Sequence, residues 1–268
     1  AHIFLPSLTH ALYTSHAPFE HFRSDSQEFL ATVQATFNAS FVNIDFALSL
    51  NDTVTITAYN RIKSRKLTLA SSVLELIEKL FKGSEFTDQP AKIHQYVRWA
   101  LGTGLAYYKV PTPKEWKGLN KSDPEYKSTY MTAAPEGFLE SQFIAPIAQQ
   151  YLKYIMNLAL SPAISQKNPP KGLYALILAA VERAFSVHMK GTFAKPPQFN
   201  LDNCAKPLKD FFINIDKVKE DRWSTILQFS GANKDENSDA DGDVLQADQS
   251  MISAFCISMY VSSSPAKP

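Results

Sequence analysis

The 268-residue chain has only two cysteines, Cys204 and Cys256, and nine glycines. Two thiols cannot build the disulfide framework of a small secreted scaffold, and their spacing with histidine resembles no zinc ligand set. Whether the two pair is left open, but so low a number points to a reducing, intracellular compartment. Sequons at Asn38, Asn51 and Asn120 keep secretion open as an alternative, although the opening residues do not read as a secretory leader. Long apolar runs are missing too. The longest, Leu173 to Val181, falls far below the roughly 20 residues of a membrane span. Neither sign of charge is in excess: 27 Lys and Arg face 26 Asp and Glu, for a net charge of +1. Bulk charge therefore favours neither nucleic acid nor an acidic partner, and any such partner must rest on a local patch. The sequence has no G-x-S-x-G elbow, no H-E-x-x-H, no phosphate loop ending in Gly-Lys-Ser/Thr and no kinase signature set. An enzyme is then left only as a site assembled from distant residues.

What is present is apolar and aromatic: 45% hydrophobic residues, with 18 Phe and 11 Tyr, enough for a sizeable core. The first 22 residues are aromatic and His-rich with no clean period. From Ser24 to Asn38, Phe29, Leu30, Val33 and Phe37 fall at helical spacing, with Ser24 as the expected cap. Residues 43–50 alternate polar and apolar, which predicts a short isolated strand or an extended segment. A long helix is predicted over 52–81, where Ile62, Leu69, Val73, Ile77 and Leu80 share a face and Gly83 stops it. Further helices are predicted at 90–102, 138–158, 171–190, 203–212 and 217–229, the last anchored by Trp223. Between them, 108–137 carries Pro111, Pro113, Pro124 and Pro135 and reads as a loop or subdomain linker. An acidic loop at 231–248 and an apolar segment at 251–261 close the chain. The expectation is one mainly α domain over 1–268, an irregular multi-helix assembly with a buried central helix and little or no strand.

That central helix is apolar all round from Leu173 to Val181 and then sets Glu182 beside Arg183. Adjacent helical residues point about 100° apart, so these charges cannot face each other and each needs its own partner. Arg61, Lys63, Arg65 and Lys66 lie together on the long helix and are candidates for binding a polyanion. Arg61 and Arg65 share a face with Lys66 near it, while Lys63 points away. The run Asn237 to Asp248 can be laid on a twelve-residue calcium loop, with ligands Asn237, Asp239, Asp241, Asp243 and Asp248 and Gly242 at the sharp turn. Its first ligand is Asn and its last the short Asp, so any affinity is expected to be modest. No other cofactor is indicated. His2, His10, His16 and His21 crowd the start without the paired spacing of a zinc site.

Three pieces carry a resemblance: TAYNRIKSRKLTLASSVLELIEKLF, SQFIAPIAQQYLKYIMNLAL, and KGLYALILAAVERAFSVHMKGTF continuing to DRWSTILQF. In order and pattern they resemble a mostly basidiomycete fungal family catalogued as a domain of unknown function, over roughly 52–229. The resemblance implies a helical domain and carries over no catalytic residue. The leading functional expectation is a non-enzymatic helical interaction module with a protein partner or a second copy, in a nuclear or nucleic-acid-associated scaffold. The alternative is a helical domain that binds a small molecule or lipid.

Overall fold

The computed structural model describes residues 3–84, 86–102, 106–109, 136–156, 158 and 161–231. Among them stand eight helices, which hold 61% of the described residues. They are α1 (Phe4–Thr14), α2 (Gln27–Ser40), α3 (Thr53–Phe81), α4 (Pro90–Gly102), α5 (Ala145–Ile155), α6 (Lys171–Ser186), α7 (Leu201–Ile215) and α8 (Glu220–Phe229). Between α4 and α5, β1 (Tyr108–Lys109) pairs antiparallel with β2 (Glu136–Phe138). No helix among the described residues is long and apolar enough to cross a membrane.

Helix α3 sets the frame. Thr55, Ala58, Ile62, Lys66, Leu69, Val73 and Ile77 are buried at three- and four-residue steps, one continuous stripe along 29 residues. Helix α6 lies against this stripe and also meets α1, α4, α5 and α7. Every residue from Gly172 to Val181 is accordingly buried. The close approach of α1 explains Gly172: a Cβ there would lie 2.5 Å from the Ser15 carbonyl oxygen and 2.7 Å from that of Leu12. At the far side the Tyr174 hydroxyl and Ser230 Oγ share a buried 2.8 Å hydrogen bond, and the Tyr174 ring packs on Trp223 of α8 with centroids 5.4 Å apart.

Several boundaries differ from the sequence reading, each for a local reason. Helix α2 is capped by Ser26, not Ser24, because Ser26 Oγ accepts from the Phe29 N–H at 3.1 Å. Residues 43–50 form no strand. The Gln34 side chain takes the place of a partner strand, donating to the Phe46 carbonyl at 2.9 Å and accepting from the Leu48 N–H at 2.6 Å. Helix α5 starts at Ala145 rather than 138 because Gly137 and Leu139 sit at positive φ, which breaks a right-handed helix. Helix α6 ends at Ser186, after which Gly191 at φ 80° redirects the chain against Pro90. Helix α1 was not foreseen. Its buried face includes Ser7, Thr9 and His10 beside Phe4, Leu8 and Leu12, so polar residues mask the period. Thr9 hides its hydroxyl by donating back to the Leu5 carbonyl at 2.8 Å. The expected calcium loop at Asn237 to Asp248, the segment 251–261, His2 and Cys256 lie outside the described residues.

Candidate functional site

One residue of the α3 stripe is of the wrong kind. Lys66 stands one turn from Ile62 and three residues before Leu69, in register with the apolar positions, and is only 7% exposed. Its ammonium is 3.4 Å from the Pro18 carbonyl oxygen and 4.7 Å from the centroid of the Phe19 ring. The carbonyl contact is long for a charge-assisted bond, and the ring face compensates only part of the lost hydration. Among the described residues no carboxylate forms an ion pair with it. Burial pulls its pKa from the ordinary 10.5 down to about 8. The field of Glu20 works against that fall and that of Lys63 with it.

Lys66 opens on a cavity of about 750 Å³. The α1–α2 connection supplies Phe19, Phe22 and Arg23, α3 supplies Tyr59, Lys63 and Lys66, and α6 supplies Arg183. Residues 196–202, running into the first turn of α7, complete the wall and include Phe199 and Asp202. The aromatic side is a packed set: Phe19 meets Phe199 edge-on at 5.3 Å, and Phe22 leans on Phe29, which in turn meets Tyr59. Arg183 lies against the same 196–202 segment. Its Nε donates to the Pro197 carbonyl at 2.8 Å, and its guanidinium carbon lies 5.9 Å from the Phe199 centroid. Arg23 is already committed to Asp25 through two hydrogen bonds of 3.0 and 2.8 Å at the exposed rim. Four cationic side chains and one carboxylate, Asp202, therefore line the space together with the rings of Phe19, Phe22, Tyr59 and Phe199.

The four basic residues singled out in the sequence are not gathered into one strip. Lys63 and Lys66, three apart, both line the cavity. Arg65 leaves in another direction and stacks on Tyr154 of α5 with its Cζ 3.8 Å from the ring centroid. Arg61 is exposed and lines neither cavity. The expectation that Lys63 stands apart from the others is thus reversed for Lys66, because burial of the 62–66–69 stripe turns Lys66 inward beside Lys63.

Glu182 and Arg183 do diverge, and their directions lead to two different cavities. Glu182 lines a smaller one of about 450 Å³ with Tyr107, Lys206, Asp210 and Phe211. Partial burial raises its pKa, and the nearby Asp210 raises it further. Among the described residues the Glu182 carboxylate makes no hydrogen bond or ion pair. Arg183 finds a loop carbonyl rather than a charged group on another helix. Cys204 is buried behind this region, and burial pushes its thiol up to about 11, so it is protonated at neutral pH and is no nucleophile as it stands. The N-terminal histidines disperse: His10 is buried in α1, while His16 stacks on Phe212 at 5.6 Å and His21 is exposed. No group of three or more His, Cys, Asp or Glu side chains among the described residues is placed to hold a metal ion.

Comparison with protein-family models, with curated proteins and with solved structures finds no match. The functional argument rests on the cavity itself.

Proposed function

We propose that this helical domain binds a small anionic compound with an aromatic or apolar body in the cavity between α3, α6 and the start of α7. The observation that carries the reading is Lys66. A charged side chain in a core stripe costs several kcal/mol unless something pairs with it, and the groups that reach Lys66 leave it under-satisfied. A carboxylate, sulfonate or phosphate in the cavity supplies the missing partner, and Lys63 and Arg183 line the same space. Phe19, Tyr59 and Phe199 offer faces for the rest of the molecule. The volume of about 750 Å³ lies inside the roughly 300–1,000 Å³ range of small-molecule sites.

Calorimetry with 1-naphthoate, against uncharged 1-naphthamide, tests the reading. Naphthoate is expected to bind at least tenfold more tightly than the amide and to lose most of that preference in Lys66→Met and in Arg183→Gln. Equal affinity for the two compounds, or a preference that survives both substitutions, refutes it.

A second reading is a protein partner or a second copy of the chain, favoured by Val42, Ile44 and Phe46, which are 85%, 52% and 50% exposed. Light scattering across protein concentration separates the two readings, since self-association through that segment raises the measured mass and leaves naphthoate affinity unchanged. A nucleic-acid partner would need Arg61, Arg65 and Lys66 in one continuous outward strip, and Lys66 faces the core.

A further inference from the structure

The Lys66 amine has the surroundings of a nucleophile as well as those of a counter-ion. It lines the cavity from the buried stripe of a 29-residue helix, so its position is fixed by packing rather than by a loop. Its one hydrogen bond among the described residues, at 3.4 Å, goes to a main-chain carbonyl that cannot take its proton. Lys66 is only 7% exposed, with the Phe19 ring packed against its ammonium, and water is what reverses the condensation of an amine with a carbonyl group. Lys63 lines the same space and disfavours a second positive charge beside it.

We infer that Lys66 captures the carbonyl group of an anionic aldehyde or 2-oxo acid seated in the cavity, forming an imine. The inference deepens the anion-binding reading and rests on it. The neutral amine attacks the carbonyl carbon through its lone pair, and the carbonyl π pair moves to oxygen. A proton passes from nitrogen to that oxygen, giving a carbinolamine. The C–O bond then breaks, the oxygen departs as water with a second proton, and the nitrogen lone pair closes the C=N bond. One amine and one carbonyl give one imine and one water, and no oxidant or reductant takes part. With the ammonium ionising at about 8, about a quarter of the side chain is neutral at pH 7.5, against roughly one part in a thousand for an ordinary lysine. Burial sets this value first, with Lys63 on its own helix lowering it and Glu20 from the α1–α2 connection raising it; the other charged groups that line the cavity are Arg23 from the same connection, Arg183 from α6 and Asp202 from α7.

The probe is 4-carboxybenzaldehyde, which has the ring, the anion and the carbonyl group, with sodium cyanoborohydride to reduce any imine to a stable amine. Peptide mapping is expected to place the adduct on Lys66 at least tenfold faster than on the average of the other lysines. The rate is expected to rise with pH up to about 8 and then level. Excess 1-naphthoate should suppress it in the wild-type protein, a control that does not depend on any variant folding. Lys66→Arg, which removes the nucleophile, should abolish the adduct at this position without any other lysine gaining one. An adduct spread over surface lysines, or one insensitive to naphthoate, overturns the inference. Naphthoate binding without a Lys66 adduct overturns imine capture and leaves the anion site standing. Absence of both removes the site as well.

Discussion

Replacing Lys66 by methionine should make the protein more stable at neutral pH, and the gain should vanish in alkali. Methionine has nearly the length and volume of lysine and fits an apolar stripe without a cavity or a clash. What it removes is an ammonium whose pKa falls from 10.5 in the unfolded chain to about 8 in the fold. At about 1.4 kcal/mol for each pKa unit, that difference corresponds to on the order of 3 kcal/mol. The sign follows from proton counting. Between pH 8 and 10.5 the unfolded chain holds a proton on Lys66 that the folded chain has given up, so this group makes the wild type more stable as pH rises through that window. Below pH 8 the fold carries the full cost of a buried charge, and above 10.5 it carries none. Urea denaturation of both proteins at half-unit steps from pH 6.5 to 10.5 measures this directly. Titration of the tyrosines and of the other lysines is common to the two chains and cancels in their difference. The variant is expected to lead by about 2–3 kcal/mol at pH 7, less at pH 9, and by a few tenths at most at pH 10.5. Two parallel curves over that range would show that Lys66 ionises as an exposed lysine does, and the reasoning about the cavity floor would fail with it.

Two further substitutions test the frame that holds the site. Leu176, fully buried in α6, should cost about 2–5 kcal/mol when cut to alanine; a loss within error in urea denaturation would contradict a central position for this helix. Gly172→Ala should cost about 1–3 kcal/mol by forcing α1 away from α6, because the added methyl meets backbone oxygens that cannot rotate aside. An unchanged melting temperature for that variant would refute the close approach of the two helices.

The mainly helical class was legible because most of the helices have an apolar stripe at helical period, as at Ile62, Leu69, Val73 and Ile77. Helix α1 was not, since Thr9 and Thr14 satisfy their hydroxyls on the helix backbone and so can lie where an apolar residue is expected. The site was half legible. Its basic helix stood out as a run of charge, but a run groups residues by proximity along the chain, whereas burial sorts them by register. Continuing the stripe from Ala58 through Ile62 to the next step lands on Lys66 and separates it from Arg65. No such rule finds the rest of the wall. Phe19, Arg183 and Phe199 come from three segments far apart in sequence, and two of the three stand in connections that have no period.

Sorted by register, the charges of this core fall where they limit stability and where a ligand could make use of them. Lys66 interrupts the longest buried stripe in the described structure, and Glu182 and Arg183 end the all-round burial of α6. Proteins keep such local contradictions where a function compensates for them. The two proposed fates of Lys66 have opposite consequences for its proton. A bound anion favours the ammonium, so noncovalent occupancy at pH 8–9 draws a proton into the cavity and relieves part of the cost of burying that charge. Condensation with a carbonyl group begins from the neutral amine, which burial and the adjoining Lys63 already favour. A pKa near 8 keeps both forms within reach at neutral pH. An apolar residue in the stripe would offer neither, and an exposed lysine would offer only the first.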